Sequence, residues 1–497
     1  MAFSFSLFFL LLLFPFQCSS SLSALNQGSS LSVEKYADDV IVSSNKMFCA
    51  GFFQVGLNAF YFAIWFNDPH SHNNTTVVWM ANREQPVNGR LSKLSLLNTG
   101  NIVLLDAAQI TTWSSNTVSQ IPVKLYLQDD GNLVLRDRQQ TILWQSFDFP
   151  TDTLLPGQPL TRYTQLVSSR SMTNHSSGFY KLLFDDDNVL RLIYDGPDVS
   201  SQYWPLPWLL VWQTGRFNYN SSRHAVLNSL GNFTSSDNYT FSTNDHGMVM
   251  PRRLTLDSDG NVRVYSRKAL KKWYVSWQVI PDTCTIHGVC GVNSTCNYDP
   301  KTGRRCSCLP GYRVKNHSDW SYGCEPKFDL TCNGNESTFL EMQGVEFYGY
   351  DSNYVPNSTY MHCVNLCLQD CKCIGFQYRY DGDKGYSSCF TKLQLLNGRR
   401  SPNFTGKFYL RLPKSNNFSG EESVNAYDHF CPVQLPRDYV RKLENRLVKF
   451  FLWLATAVGA LEMVCLLMIW GFLIRTRQKT GADQQGYHLA AVGFRKY

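Results

Sequence analysis

The chain has 497 residues, room for roughly three or four domains. Its formal charge of +7 is mild for that length and forms no basic stripe, which argues against a nucleic-acid partner. Of its 16 cysteines, 12 fall between Cys284 and Cys389, a clustering that points to a disulfide framework made in an oxidising compartment.

Residues 1–20 read as a signal peptide: an apolar block runs through Phe16, and Cys18-Ser19-Ser20-Ser21 follows with a cleavage position near Ser20. The block is shorter than the roughly 20 residues a spanning helix needs. Next comes a repeat. Leu94-x-Leu96-x3-Gly100-Asn101-x-Val103 is matched 31 residues later by Leu125-x-Leu127-x3-Gly131-Asn132-x-Val134. Trp113 and Trp144 each lie 12 residues after the Asn. Alternating apolar residues broken by Gly-Asn turns predict short antiparallel strands, and the period predicts stacked all-β units sharing one core. A weaker echo, Leu254-x-Leu256-x3-Gly260-Asn261 with Tyr265 after it, predicts a second β domain of related design over 156–280. Pro156 and Gly157 mark the junction with the first, 25–155.

Six cysteines then crowd into 281–325, too short a stretch for a cored domain, so bridges must hold it. The spacing C-x5-C-x5-C-x9-C-x-C-x15-C resembles an EGF-like module, and the resemblance implies Cys284–Cys296, Cys290–Cys306 and Cys308–Cys324. Calcium-binding versions carry acidic residues before the first cysteine; only Asp282 stands there, so no calcium is expected. Cys363, Cys367 and Cys371 recur every four residues, which predicts one helix face. With Cys332, Cys373 and Cys389 the segment 332–412 resembles a PAN/apple domain, implying Cys363–Cys389, Cys367–Cys373 and Cys332–Cys371. Zinc is the competing reading, disfavoured because secreted cysteines are oxidised; no metal or other cofactor is expected. Cys49 reads as a buried thiol, and Cys431 as a candidate for an intermolecular bridge.

A linker, 413–449, leads to an apolar run of 25 residues, Phe450 to Ile474, and a tail, 475–497. At about 1.5 Å per residue the run covers a roughly 30 Å hydrocarbon core with some tilt. Arg437, Arg441, Lys442, Arg446 and Lys449 precede it while Arg475, Arg477 and Lys479 follow, so flanking charge does not orient it. The signal peptide does, with the N-terminus outside and the lipid bilayer as a partner. Sequons at Asn73, Asn74, Asn174, Asn220, Asn232, Asn238, Asn293, Asn316, Asn335, Asn357, Asn403 and Asn417 all precede the run, as a luminal surface requires. Ala455, Gly459 and Glu462 share one face of the membrane helix. Small residues permit close helix approach, and a mid-bilayer carboxylate is costly unless partnered. That face is a candidate for homo- or hetero-association; a tolerated Glu in a lone helix is the alternative.

Val77-Val78-Trp79-Met80-Ala81-Asn82-Arg83, the run from Trp144 to Gly157, Arg253-Leu254-Thr255-Leu256-Asp257 and the cysteine pattern together resemble the ectodomain of plant S-domain receptor-like kinases, also called G-type or bulb-type lectin receptor kinases. The maize receptor-kinase branch is the nearest in pattern, and even Gly486-Tyr487-His488 to Tyr497 resembles its juxtamembrane segment. The resemblance implies a mostly β fold: a bulb-lectin β-prism, a second lectin-like β domain, the EGF-like module, an α+β PAN/apple domain and one membrane helix. It also implies a plasma-membrane receptor in pollen recognition or defence. The kinase motifs are missing from this sequence: no Gly-rich loop with its lysine, no His-Arg-Asp, no Asp-Phe-Gly. The expectation is a protein that recognises an extracellular carbohydrate or other small ligand and acts through a partner kinase. The alternatives are an incomplete record of a receptor serine/threonine kinase and a decoy that pairs with full-length relatives.

Family lectin domains bind mannose through Gln-x-Asp-x-Asn-x-Val-x-Tyr. Alternate residues of a strand share a face, so three polar groups meet adjacent sugar hydroxyls while Val packs on the C–H face. Here Gln128, Asp130, Asn132 and Val134 match and Arg136 replaces Tyr; the first repeat keeps only Asn101 and Val103. The alternative is a plain hairpin turn at Asp130-Gly131. Asp257-x-Asp259-x-Asn261 fails the EF-hand pattern, with Val262 for Gly and Lys268 for Glu, and reads as a strand turn. Asp185-Asp186-Asp187 reads as a solvated loop, and Tyr203-Trp204-Pro205-Leu206-Pro207-Trp208 as buried packing, with an exposed recognition patch as the alternative.

Overall fold

Among the described residues, six strands end on a large apolar residue and then turn by one local device. Leu96, Leu105, Leu127, Phe184, Leu227 and Leu256 close their strands, and four positions later Gly100, Gln109, Gly131, Asn188, Gly231 and Gly260 take positive φ. The same two backbone bonds recur in each turn; in the third, Gln128 N donates to Asn132 O at 2.8 Å and Gly131 N to Gln128 O at 3.0 Å. Left-handed backbone costs glycine nothing and asparagine little, so these residue types hold five of the six positions, Gln109 being the exception. The computed structural model describes residues 21–67, 75–197, 199–268, 272–299, 303–317, 319–401, 404–414 and 446–491. The signal-peptide segment, Asn73, Asn74, Asn403, Asn417, Cys431, linker residues 415–445 and tail residues 492–497 lie outside them.

Three sheets surround the first core. One joins Ser21–Leu22, Val40–Val42, Phe48–Gly56, Ala59–Phe66 and Val77–Met80. A second joins Ser30–Ser32, Lys93–Leu96, Ile102–Leu105 and Thr111–Ser114; a third joins Leu25–Asn26, Val123–Leu127, Leu133–Asp137 and Ile142–Gln145. The 31-residue repeat therefore builds two of the three sheets. Each sheet sends one tryptophan to a shared contact: Trp79, Trp113 and Trp144 meet edge to face, with centroids 5.5–6.2 Å apart. This geometry suits the aromatic quadrupole. Around them Leu31, Phe52, Phe62, Leu94, Leu104 and Leu125 are fully buried.

The second β domain repeats the plan three times. Leu166–Ser169, Ser177–Phe184, Leu190–Asp195 and Ser200–Trp204 form one sheet. Pro159–Thr161 joins His224–Leu227, Asn232–Ser235 and Thr240–Ser242; Thr153–Leu154 joins Arg252–Leu256, Val262–Ser266 and Tyr274–Gln278. The aromatic equivalent to Trp113 is not Tyr265, which lies on a middle strand, but Trp277 on the outer one, stacked on Phe241 at 3.5 Å. Leu154 belongs to the second core while the next side chain, Leu155, returns to the first. The Arg83 guanidinium ties the two domains: it donates to the carbonyls of His175 (2.9 Å), Val167 (2.9 Å) and Ser168 (3.0 Å).

Residues 284–324 carry disulfides Cys284–Cys296, Cys290–Cys306 and Cys308–Cys324, and the next module carries Cys332–Cys371, Cys363–Cys389 and Cys367–Cys373. The two modules share a sheet, since Ser294–Asp299 pairs in parallel with Gly398–Arg400. Helix α1 (Tyr360–Gln369) packs on a five-stranded sheet, with the Thr359 hydroxyl accepting from His362 N at 3.3 Å as its N-cap. Cys363 and Cys367 share its buried face, but Cys371 does not, because the helix ends at Gln369 and Asp370 is extended. Closing the short Cys367–Cys373 loop requires that turn. The buried Arg411 guanidinium donates to the carbonyls of Cys367, Asp370, Cys373 and Thr331 at 3.1–3.4 Å, the first two of them carbonyls that the ended helix leaves open.

Residues 438–497 form a separate unit whose described part is helix α2 (Arg446–Ala491). Within it Phe450–Arg475, mean hydropathy 2.2, is long and apolar enough to cross a membrane.

Candidate functional site

Gln128, Asp130, Asn132 and Val134 sit on the hairpin between Val123–Leu127 and Leu133–Asp137. Their environments differ sharply. Asp130 is exposed and Gln128 half-buried, whereas Asn132 is 5 % exposed and Val134 fully buried. The Asn132 side chain is already committed: its Nδ2 donates to Gln145 Oε1 at 2.9 Å, and its Oδ1 accepts from Ser146 Oγ and Phe147 N, both at 3.2 Å. Asp130 Oδ1 in turn accepts from Asn132 N at 3.0 Å. The structure therefore brings the four residues together but leaves solvent to two of them. Val134 has no face left for a sugar.

The equivalent asparagines explain why. Asn101 Oδ1 accepts from Ser114 Oγ (3.1 Å), Ser115 Oγ (3.0 Å) and Thr117 N (3.3 Å). In the second β domain Asn261 Nδ2 donates to Ile280 O at 2.7 Å and its Oδ1 accepts from Ile280 N at 3.1 Å. In all three copies the Asn after the turn glycine brackets the chain beyond the third strand, satisfying backbone or hydroxyl groups that burial would orphan. Two of the copies carry the motif only in part, the first keeping Val103 and the third Asp259 and Tyr265 beside the Asn, so the bracket does not depend on a complete sugar motif.

Other sequence-marked groups also find protein partners. Asp257 and Asp259 hold the Arg263 guanidinium at 2.6–2.9 Å, and Tyr265 Oη donates to Asp257 at 2.7 Å. The carboxylates are thus spent on a buried cation, and burial pushes the Tyr265 hydroxyl well up. Asp185 and Asp187 are not merely solvated: they flank Arg191 in the turn closed by Asn188, while Asp186 is exposed, 3.7 Å from Arg223. The aromatic run divides, with Tyr203 buried and donating to Gly260 O at 2.6 Å, and Trp208 about half exposed against Tyr348. Cys49 is buried in the strand Phe48–Gly56. On α2, Ala455, Gly459 and Glu462 are exposed. The sequons sort by setting: Asn174, Asn220, Asn238, Asn335 and Asn357 are exposed, while Asn232, Asn293 and Asn316 are half-buried.

Sequence reasoning passed over His287. It lies where three modules meet: its Nδ1 is 2.6 Å from Ser201 Oγ, its ring touches Tyr203 and Tyr348, and Arg399 is near. Burial, seconded by Arg399, lowers its pKa to about 4. Nothing in its spacing marks it.

Residues 76–175 match the family profile of D-mannose binding lectin, and residues 208–316 that of the S-locus glycoprotein domain. A Zea mays protein named as a receptor protein kinase is 36% identical across 98% of this chain and 62% of its own length. A G-type lectin S-receptor-like serine/threonine-protein kinase of Arabidopsis thaliana is 29% identical over 77% of the chain and 45% of itself. An S-locus-specific glycoprotein of Brassica oleracea var. alboglabra is 28% identical over 82% of the chain and 95% of itself. This chain thus spans less than two thirds of the maize relative and under half of the Arabidopsis kinase.

Proposed function

This chain belongs to the S-domain lectin-receptor family, and on that premise we propose that it is an extracellular recognition protein of the plasma membrane, single-pass and type I. The observation that carries the reading is the alignment of 98% of the chain with a relative named as a receptor protein kinase. The lectin match at 76–175 supports a carbohydrate as ligand. We read 281–325 as an EGF-like spacer and 332–412 as a PAN/apple domain, and 450–474 as the anchor. The signal passes to a kinase through association, with Ala455, Gly459 and Glu462 as the contact face of the membrane helix. Crosslinking of the full chain in cells tests that face: a yield unchanged by Glu462→Leu removes it.

Sugar contact falls to Gln128 and Asp130, the two motif residues with access to solvent, and Asn132 acts by fixing their turn. Titration of the purified ectodomain with mannose tests this. Asp130→Ala is expected to abolish binding while leaving the fold intact; equal binding by wild type and variant eliminates the site.

Coverage of 62% of the maize relative favours a second reading, in which this sequence is the recognition part of a receptor serine/threonine kinase. Sequencing the 3′ ends of the native transcript separates the two. A frame running past Tyr497 into kinase motifs establishes the second, and a stop codon there establishes the first.

A further inference from the structure

The second β domain carries a small aromatic surface beside a sequon. Phe217 and Tyr219 stack with centroids 5.2 Å apart and planes at 27°, and they are 41% and 77% exposed. Exposed aromatic pairs are normally mobile, but this one is pinned. Phe217 N donates to Asp237 O at 2.9 Å, and Asn188 Nδ2 to Asn218 O at 2.8 Å. The preceding Arg216 is buried, paired with Asp237 at 2.5 Å and sandwiched between the Trp204 and Tyr239 rings. On the other side, Arg162 Nη2 donates to Ser221 O at 3.1 Å. The surface is therefore pre-organised, a condition under which an apolar contact costs little further entropy.

Asn220 sits in this pinned segment. Its Oδ1 accepts from Ser222 N at 3.1 Å, closing an Asx turn inside the Asn220-Ser221-Ser222 sequon. Its Nδ2 has no partner among the described residues, and the residue is exposed. Asn293 is the contrast. Its Nδ2 donates to Cys324 O at 3.0 Å, and Thr295, the third residue of its sequon, is buried.

We propose that Asn220 carries an N-linked glycan whose first N-acetylglucosamine lies on the Phe217–Tyr219 stack, so that the chain's own sugar covers this apolar surface. The inference rests on the extracellular reading above. The co-reactant is a lipid-pyrophosphate oligosaccharide. The bond from Nδ2 to the anomeric carbon forms as the sugar–phosphate bond breaks, lipid pyrophosphate leaves, and Nδ2 gives up one proton. The C–H face of a pyranose and its N-acetyl methyl are apolar, and the aromatic ring face carries negative charge density, so the two surfaces match. Asn293 stays unmodified, because its carboxamide is half-buried against Cys324 and the hydroxyl residue of its sequon, Thr295, is buried.

Glycopeptide mass spectrometry of the full chain made in plant cells tests the modification. Expected is high occupancy at Asn220 and none at Asn293. An empty Asn220 with occupied Asn174, Asn335 and Asn357 overturns the inference and leaves the extracellular reading standing. No glycan at any sequon overturns that reading itself. Stacking is tested by melting temperature. Ser222→Ala removes the glycan yet keeps the backbone donor of the Asx turn, and should lower the midpoint by roughly 2–4 °C. In a Phe217→Ala/Tyr219→Ala background the same change should have no effect. An equal drop in both backgrounds overturns the contact, and Asn220→Gln in both backgrounds repeats the test without touching Ser222.

Discussion

The first β domain closes on Trp79, Trp113, Trp144 and a shell of buried leucines and phenylalanines, whereas residues 284–324 hold three disulfides around few apolar side chains. The difference is one of size. A domain over 25–155 buries enough apolar surface to offset its chain entropy, but a module a third as long exposes most of what it has. What crosslinks supply to the small module, hairpin brackets and a shared aromatic centre supply to the large one.

Reducing agent should separate the two regions most strongly. Each native bridge in a small secreted module is worth about 2–5 kcal/mol. Hydrogen exchange on the full chain under dithiothreitol should show protection lost over 284–412 and kept over 25–155. Simultaneous loss in both would break the comparison. Next in size, Phe62→Ala in the first core should cost about 3–5 kcal/mol in denaturant unfolding, because Phe62 is 1% exposed and its cavity cannot collapse.

Acid acts where the regions meet. His287 is held neutral, its pKa lowered by burial to about 4. An unfolded chain takes up that proton from about pH 6.5 downward. The contribution of His287 is thus whole above about pH 6.5, declines as pH falls, and is gone below about 4, a loss of about 3 kcal/mol. Melting followed from pH 7 to 4 should fall more steeply in the wild type than in His287→Gln; parallel curves would refute the assignment. The smallest effects belong to the brackets. Asn101→Ala, Asn132→Ala and Asn261→Ala should each cost about 1–3 kcal/mol by orphaning buried groups. If Asn132→Ala left stability unchanged while abolishing mannose binding, its side chain would be a ligand group rather than a bracket.

Much of the scaffold was legible before any coordinates. The repeat at Gly100-Asn101 and Gly131-Asn132 marks two sheets directly, and Gly260-Asn261 a third. A broader rule, a strand-closing Leu or Phe four residues before a Gly or Asn, also finds Leu227 with Gly231 and Phe184 with Asn188. The candidate site was legible as a pattern but not in its wiring. Alternation predicts that Gln128, Asp130, Asn132 and Val134 share a strand face, but the first three lie in the turn around Gly131 and only Val134 in a strand, and Asn132 is taken up by Gln145, Ser146 and Phe147.

The sequence by itself determined what depends on neighbours within a few residues or on simple counts. These are the hairpin turns, the cysteine-dense modules and the apolar run Phe450 to Ile474. Tertiary structure alone decided the rest. It committed Asn132 to a bracket, sent Arg83 across to three carbonyls of the second β domain, and ended α1 before Cys371. It also buried Tyr203 while leaving Trp208 half exposed. The physical reason is common to the side chains among these: a polar or aromatic side chain settles where a distant segment offers a partner or a cover, and local spacing carries no information about which segment that is.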